Sequence, residues 1–345
     1  MTTQHPSALT MLLSRHTRRR EFIKLLGGGA VAWPLLARAQ QGERMRRIGI
    51  LQGLAENDPE WQRRLAAFKQ GLQELGWTEG RNVAFEFRFA DNKPERLPGL
   101  AAELVQANVD VIVTNAAQSV EAARKATSSI PIVMATVGDA LGAGYVASLA
   151  RPGGNVTGFT LVATEQSAKR LQLLKEFSPN LVRVAVLWNA NASGHRLQFK
   201  EMELSAPTLG IAVQSIPVRD AGAFDAGFQA AKQGNAQALV TMDDPLIQSQ
   251  RARIVEFARK ERVPVMAEFR PITEAGGLMS YGPNQIDLWR RAATYVHKIF
   301  KGANAAELPV EQPTKFELVV NLRTARQIGI ELPTSILLRA DELIE

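Results

Sequence analysis

The chain contains no cysteine among its 345 residues and only four histidines. The first absence removes disulfides, thiolate nucleophiles and thiolate metal ligands together, so the fold must be stable without a covalent staple. His5 and His16 fall in an N-terminal leader, which leaves His195 and His297. A histidine-based metal cluster or a Ser-His-Asp triad then lacks its parts, whereas a site made of carboxylates stays open. A long apolar run is also missing. The greasiest stretch, Leu25 to Leu36, is about twelve residues, holds Gly27, Gly28, Gly29 and Pro34, and falls short of the roughly twenty residues a spanning helix needs.

That stretch has another reading. Arg19-Arg20-Glu21-Phe22-Ile23-Lys24 precedes it and Ala37-Arg38-Ala39 follows. A charged segment, a short apolar core and a small-x-small cut site mark a removable targeting peptide. The paired arginines resemble the twin-arginine signal, which exports proteins already folded. With no cysteine at the cut site a lipid anchor is excluded. The expectation is a periplasmic protein, with residues 1–39 removed near Ala39.

The leader also accounts for the basic balance. The formal charge is +7, but Arg15, Arg18, Arg19, Arg20, Lys24 and Arg38 lie before the cut against Glu21 alone. Thirty-five basic and 33 acidic residues remain, a net +2. No basic footprint for nucleic acid is left. About 305 mature residues exceed what a single core usually supports, so two lobes are expected.

Strand and helix patterns alternate from Arg47 onward. Buried or alternating runs predict strands at 47–52, 82–89, 109–114, 131–136 and 155–160. Helical spacing predicts helices at 59–75, 94–106, 120–127 and 142–150 between them, the first opened by Asp58-Pro59. The pattern then repeats. Strands are expected at 182–188, 211–218, 238–241, 263–268 and 277–281, and helices at 165–177, 194–209, 223–233 and 246–261. Two successive βα sets imply two doubly wound lobes of parallel sheet, at 46–158 and 159–283. A helix at 287–301, a strand at 315–321 and a helix at 324–328 follow, with Ser335–Leu338 too short to stand alone. These pieces of 284–345 are expected to complete both lobes, which makes several crossings and hence a multi-strand hinge.

Ligands of such sheets bind beyond the carboxyl ends of the strands. That rule selects Gln52 after the first strand and Asn115, Gln118 and Ser119 after the third, where free amides at a helix opening suit a carboxylate. Ser119 is alternatively just a cap. Gly138 and Asp139 follow the fourth strand, with Asp139 either an ammonium partner or a cap. In the second lobe Trp188 stacks on a flat ligand or plugs the core, beside Asn189. Asp243, next to Asp244-Pro245, is an amine anchor, a cation site or half of an acid–base pair. Glu268 and Phe269 close the next strand. Thr160 and Tyr281 lie near the expected hinges. His195 reads as a solvated turn residue and His297 as a surface one. Gly138, Gly142 and Gly144 make no phosphate loop, and no cofactor or metal is expected.

Several strings carry a family resemblance. They are Phe85-Glu-Phe-Arg-Phe-Ala-Asp91, Val137-Gly-Asp139, Ser148-Leu-Ala-Arg-Pro-Gly-Gly-Asn-Val-Thr-Gly158, Ala275-Gly-Gly-Leu-Met-Ser-Tyr-Gly282 and Pro309-Val-Glu-Gln-Pro-Thr-Lys-Phe316. Over about residues 46–345 the chain resembles ABC-transporter substrate-binding proteins of the tryptophan/tyrosine type, with the type I periplasmic binding protein fold. The resemblance implies three hinge crossings, a small-molecule solute such as an aromatic or hydrophobic amino acid, and a permease and ATPase as partners, with a monomer suited to the task. It places a ligand-holding loop at Asn115-Ala-Ala-Gln118, where the family is usually richer in Gly, Thr and Pro. The rival readings are a periplasmic α/β enzyme and a ligand sensor for a membrane receptor. A transcriptional regulator shares the lobes but has no room for a DNA-binding module before Arg46.

Overall fold

In the first lobe every strand is followed by a connection that returns over the sheet, so the strands run parallel. The computed structural model describes residues 44–345 apart from Val162, and the export motif with its cut site lies outside the described residues. The strands are β1 (Arg46–Gln52), β2 (Val83–Phe89), β3 (Val111–Asn115), β4 (Ile132–Val137) and β5 (Val156–Thr160), with helices α1 (Pro59–Glu74), α2 (Leu97–Gln106) and α3 (Ala117–Ala126) between them. They stand in the order β2-β1-β3-β4-β5. Side chains alternate across the pleat. Ile48, Ile50, Val111, Val113, Val133 and Phe159 join one core, and Leu51, Ile112, Ile132, Met134 and Val156 the other.

The second lobe continues with α4 (Ala163–Phe177), β6 (Arg183–Asn189), α5 (Ser193–Ser205), β7 (Ala212–Val218), α6 (Ala223–Gln233), β8 (Ala238–Thr241), α7 (Pro245–Ser249), α8 (Arg251–Glu261), β9 (Val265–Ala267), α9 (Arg270–Glu274) and β10 (Met279–Gly282). The chain then leaves this sheet. Helix α10 (Gln285–Phe300) packs in the first lobe, with Trp289 edge-on to Trp61 of α1 at 5.3 Å between ring centroids. Glu311 next lies alongside β5, accepting from the Thr160 N–H (3.0 Å) and donating its own N–H to Gly158 O (2.9 Å). The chain returns as β11 (Glu317–Asn321), α11 (Leu322–Ile328), α12 (Thr334–Arg339) and β12 (Glu342–Ile344). The second sheet reads β12-β11-β10-β9-β8-β6-β7.

Three crossings therefore join the lobes: after Thr160, after Gly282 and before Glu317. Tyr281 stacks on Phe316 at 6.0 Å, which puts the second and third side by side.

The structure departs from the sequence expectations in several places. No helix forms at 142–150. The Asp139 carboxylate accepts from Gly142 N (2.8 Å), Gly144 takes a φ of 70°, and the segment folds as successive turns. The helix expected at 246–261 breaks at Gln250 into α7 and α8. β11 pairs antiparallel with β10, because the chain re-enters the second lobe at the end where β10 left it, Glu317 pairing with Gly282. Residues past Ser335, too short to stand alone, form α12 and an edge strand parallel to β11.

The return of α10 requires Gly71 in the middle of α1. A Cβ there would lie 2.3 Å from the Arg290 carbonyl oxygen. In an open helix Gly→Ala stabilises by about 1 kcal/mol. Gly71→Ala should instead destabilise by about 1–3 kcal/mol, as overpacking does, seen as a lower urea midpoint.

Candidate functional site

The carboxyl ends of β3 and β4 in one lobe face those of β6, β8 and β9 in the other. Between them lies a cavity partly open to solvent. Of the residues selected from sequence, Asn115, Gln118, Gly138, Asp139, Asp243, Asp244, Glu268 and Phe269 line it.

The first-lobe wall is built by a backbone that changes direction at Ala116. This residue sits at φ 60° and ψ 150°, a region that glycine populates and a Cβ disfavours. Its N–H donates to Thr136 O (2.9 Å), where the β3–β4 register shifts. The kink starts α3 without any side-chain cap, so the N–H groups of its first turn, from Ala117 on, have no partner in the helix. Together with the helix dipole they form a positive end suited to a carboxylate. Asn115 is 5 % exposed and its Oδ1 is buried without a partner. Tyr145 closes this side, its hydroxyl donating to Ala117 O (3.0 Å).

The second-lobe wall is a network of side chains. His195 is buried, contrary to the solvated turn expected of it. Its Nδ1 accepts from the Asn189 N–H (3.1 Å), so the proton sits on Nε2, which donates to Asp243 O (3.1 Å). Asp244 is occupied structurally: it caps α7 by accepting from Ile247 N (2.8 Å) and takes a further hydrogen bond from Asn189 Nδ2. That removes the acid–base pairing of Asp243 with Asp244. Asp243 itself accepts from Gln248 Nε2 and, at 3.5 Å, from Gln285 Nε2. No cation forms an ion pair with it among the described residues. Burial pushes its carboxyl up to about 6, against the pull of the Arg64 guanidinium and the Gln248 hydrogen bond, and the neighbouring Glu268 and Asp244 push the same way. The wall is anchored from behind. Glu268 Oε2 accepts from Asp243 N (3.0 Å), and its Oε1 meets Arg170 Nη2 at 3.2 Å. Arg170 Nε in turn donates to Tyr281 O (3.0 Å).

The other sequence candidates stand outside the lining. Gln52 turns its Oε1 onto the Gly53 N–H (2.8 Å), closing the β1 loop. Ser119 lies within the first turn of α3 rather than at its cap, buried beside Gly53 with its Oγ unpartnered. Thr160 Oγ1 accepts from Ala140 N (2.9 Å) at the first crossing. Trp188 is core: it stacks on Phe199 at 5.8 Å and donates to Ser215 Oγ (2.9 Å). Asn189 meets His195, Asp244 and the Asn191 N–H. His297 accepts from Trp77 Nε1 (3.1 Å), far along α10 and half-buried. Sequence reasoning missed Tyr145, Gln198 and Gln285 in the lining. His195 and Gln198, three apart on the helix behind Asn189, carried a usable signal; Gln285 carried none.

The model of the family described as ABC transporter substrate binding protein matches residues 48–344. A tyrosine-binding protein of Clostridioides difficile strain R20291 is 25 % identical over 289 residues, 84 % of this chain and 82 % of its own. A conserved domain protein from Vibrio cholerae is similar in structure with a TM-score of 0.82 and 26 % identity, over 87 % of this chain and all of its own. An ABC domain from Streptococcus pneumoniae, solved in complex with L-Trp, gives 0.80 and 25 %, over 87 % and 99 %.

Two substitutions test the walls. Ala116→Gly should raise stability by about 1 kcal/mol, the relieved strain exceeding the added backbone entropy, as a higher denaturation midpoint. Glu268→Ala strands Arg170 in the interior and should cost about 3–5 kcal/mol by the same measurement.

Proposed function

Because the chain belongs to the ABC transporter substrate-binding protein family, we propose that it captures an aromatic amino acid in the periplasm by closing its two lobes and hands it unchanged to an importer of permease and ATPase. The observation that carries this reading is the chemistry of the cavity's two walls. One presents the uncapped N-terminus of α3, the other a buried carboxylate that forms no ion pair among the described residues. An α-amino acid carries the two matching charges. Its carboxylate fits the free amides and its ammonium fits Asp243, with the unpartnered Gln285 Oε1 beside it. The apolar lining of Val137, Ala143, Leu161 and Phe269 suits a large side chain. Relatives named for tyrosine and solved with L-Trp support the aromatic class.

Contacts between the lobes beside the cavity support a closed arrangement. Arg251 of α8 pairs with Asp58, the cap of α1, at 3.0 Å, and Arg63 with Glu274 at 2.6 Å. Gly53 lies so near Pro245 that a Cβ would stand 2.7 Å from its ring. Such partly exposed pairs contribute at most about 1 kcal/mol each. They do not hold the lobes shut alone, so a ligand touching both walls tips the balance. No step of chemistry is assigned to the site, since its acids are fixed structurally or reserved for the ligand's charge.

Calorimetric titration should find binding of tyrosine or tryptophan, and scattering should show a smaller radius of gyration on loading. Absence of binding to any aromatic amino acid at millimolar concentration removes the assigned class. Asp243→Asn should weaken binding about a hundredfold or more. The ammonium needs the ionised carboxylate, so affinity should be full above about pH 7 and fall as pH drops through about 6, the position of Asp243 in the empty site. The Asn variant should lose that dependence.

A further inference from the structure

Gln198 is a buried polar group that the ammonium and carboxylate contacts leave unused. It lies on α5 one turn beyond His195, 3 % exposed, with its Oε1 buried and without a partner. Neither end of its amide makes a hydrogen bond within the described residues. It projects from the second lobe toward the end of β4, where a Cβ on Gly138 would stand 3.6 Å from its Nε2. A buried amide left in this state is unfavourable unless something outside the chain completes it.

Two other lining amides also keep a buried oxygen without a partner, and each has a place in the amino-acid scheme. Gln285 stands beside Asp243, at the ammonium end. Asn115 precedes the α3 N-terminus, at the carboxylate end. Gln198 makes no hydrogen bond to Asp243 and stands on α5, apart from the α3 N-terminus. What remains of a bound amino acid is its side chain.

We propose that Gln198 is a specificity-determining residue, whose amide receives the hydrogen-bond donor carried by an aromatic side chain, a phenol O–H or an indole N–H. The inference rests on the aromatic amino-acid reading. It predicts that tyrosine or tryptophan is retained while phenylalanine is rejected. Phenylalanine of the same shape would dry the cavity without completing the amide. Sites built around such a hydrogen bond discriminate against the analogue lacking it more strongly than apolar pockets discriminate by size.

The test is calorimetric titration of the mature protein with L-tyrosine, L-tryptophan and L-phenylalanine, followed by the same three on Gln198→Met, a variant of similar length without the amide. In the unaltered protein the better of tyrosine and tryptophan should bind about a hundredfold more tightly than phenylalanine. In Gln198→Met that gap should shrink below about tenfold, by weaker binding of the first and stronger binding of phenylalanine. Equal affinity for all three in the unaltered protein overturns the assignment and leaves the aromatic class standing; this arm needs no variant. A hundredfold gap that persists in a folded Gln198→Met also overturns it. Binding of none of the three overturns the aromatic reading and this inference with it.

Discussion

The Arg170–Glu268 ion pair, with 1 % and 3 % of its side chains exposed, ties together the parts of the second lobe that meet the cavity. Arg170 comes from the first helix past the first crossing and donates to the carbonyl of Tyr281, just before the second crossing. Glu268 closes β9 and accepts from the backbone of Asp243 at the end of β8. One buried pair thus references two hinge segments and two strand ends to each other. Burying both ions costs several kcal/mol before their attraction offsets it, and apolar residues of equal volume would hold the lobe about as well. They would not fix the Asp243 N–H, and the carboxylate facing the cavity would lose its position.

The surroundings of Asp243 explain why it differs from the other acids. Glu60 meets Arg64, Glu268 meets Arg170, and Asp244 caps a helix. Each of these charges has a permanent counterpart. Asp243 makes no ion pair among the described residues, and burial raises its pKa against the pull of the Arg64 guanidinium. The opposite wall reaches the complementary sign by different means. There, a strained residue at Ala116 and an uncapped helix provide backbone donors without any basic side chain.

Much of this was legible in the sequence. Asp58-Pro59 and Asp244-Pro245 start helices because an acidic cap with proline at the first position satisfies local geometry alone. Strand ends bearing Asn115, Gly138-Asp139, Asp243 and Phe269 were located by periodicity, and the parallel topology brings these to one gap. Trp188 shows the limit. Its position at a strand end is correct, but the pleat decides which face it takes, and it faces Phe199 in the core. The stretch at 142–150 shows another. Its composition permits a helix, while the Asp139 turn and the Tyr145 anchor to Ala117 commit it to a loop over the cavity.

The sequence by itself determined the two βα sets, their hydrophobic faces, the helix starts and the strand ends that carry polar side chains, since all of these depend on neighbours a few residues apart. Only the tertiary structure decided that α10 returns to the first lobe, that His195 is wedged between Asn189 and Asp243, and that Gln198 and Gln285 enter the cavity. These positions depend on contacts between segments distant in the chain, where burial and unmade hydrogen bonds, rather than local propensity, set where a side chain comes to rest.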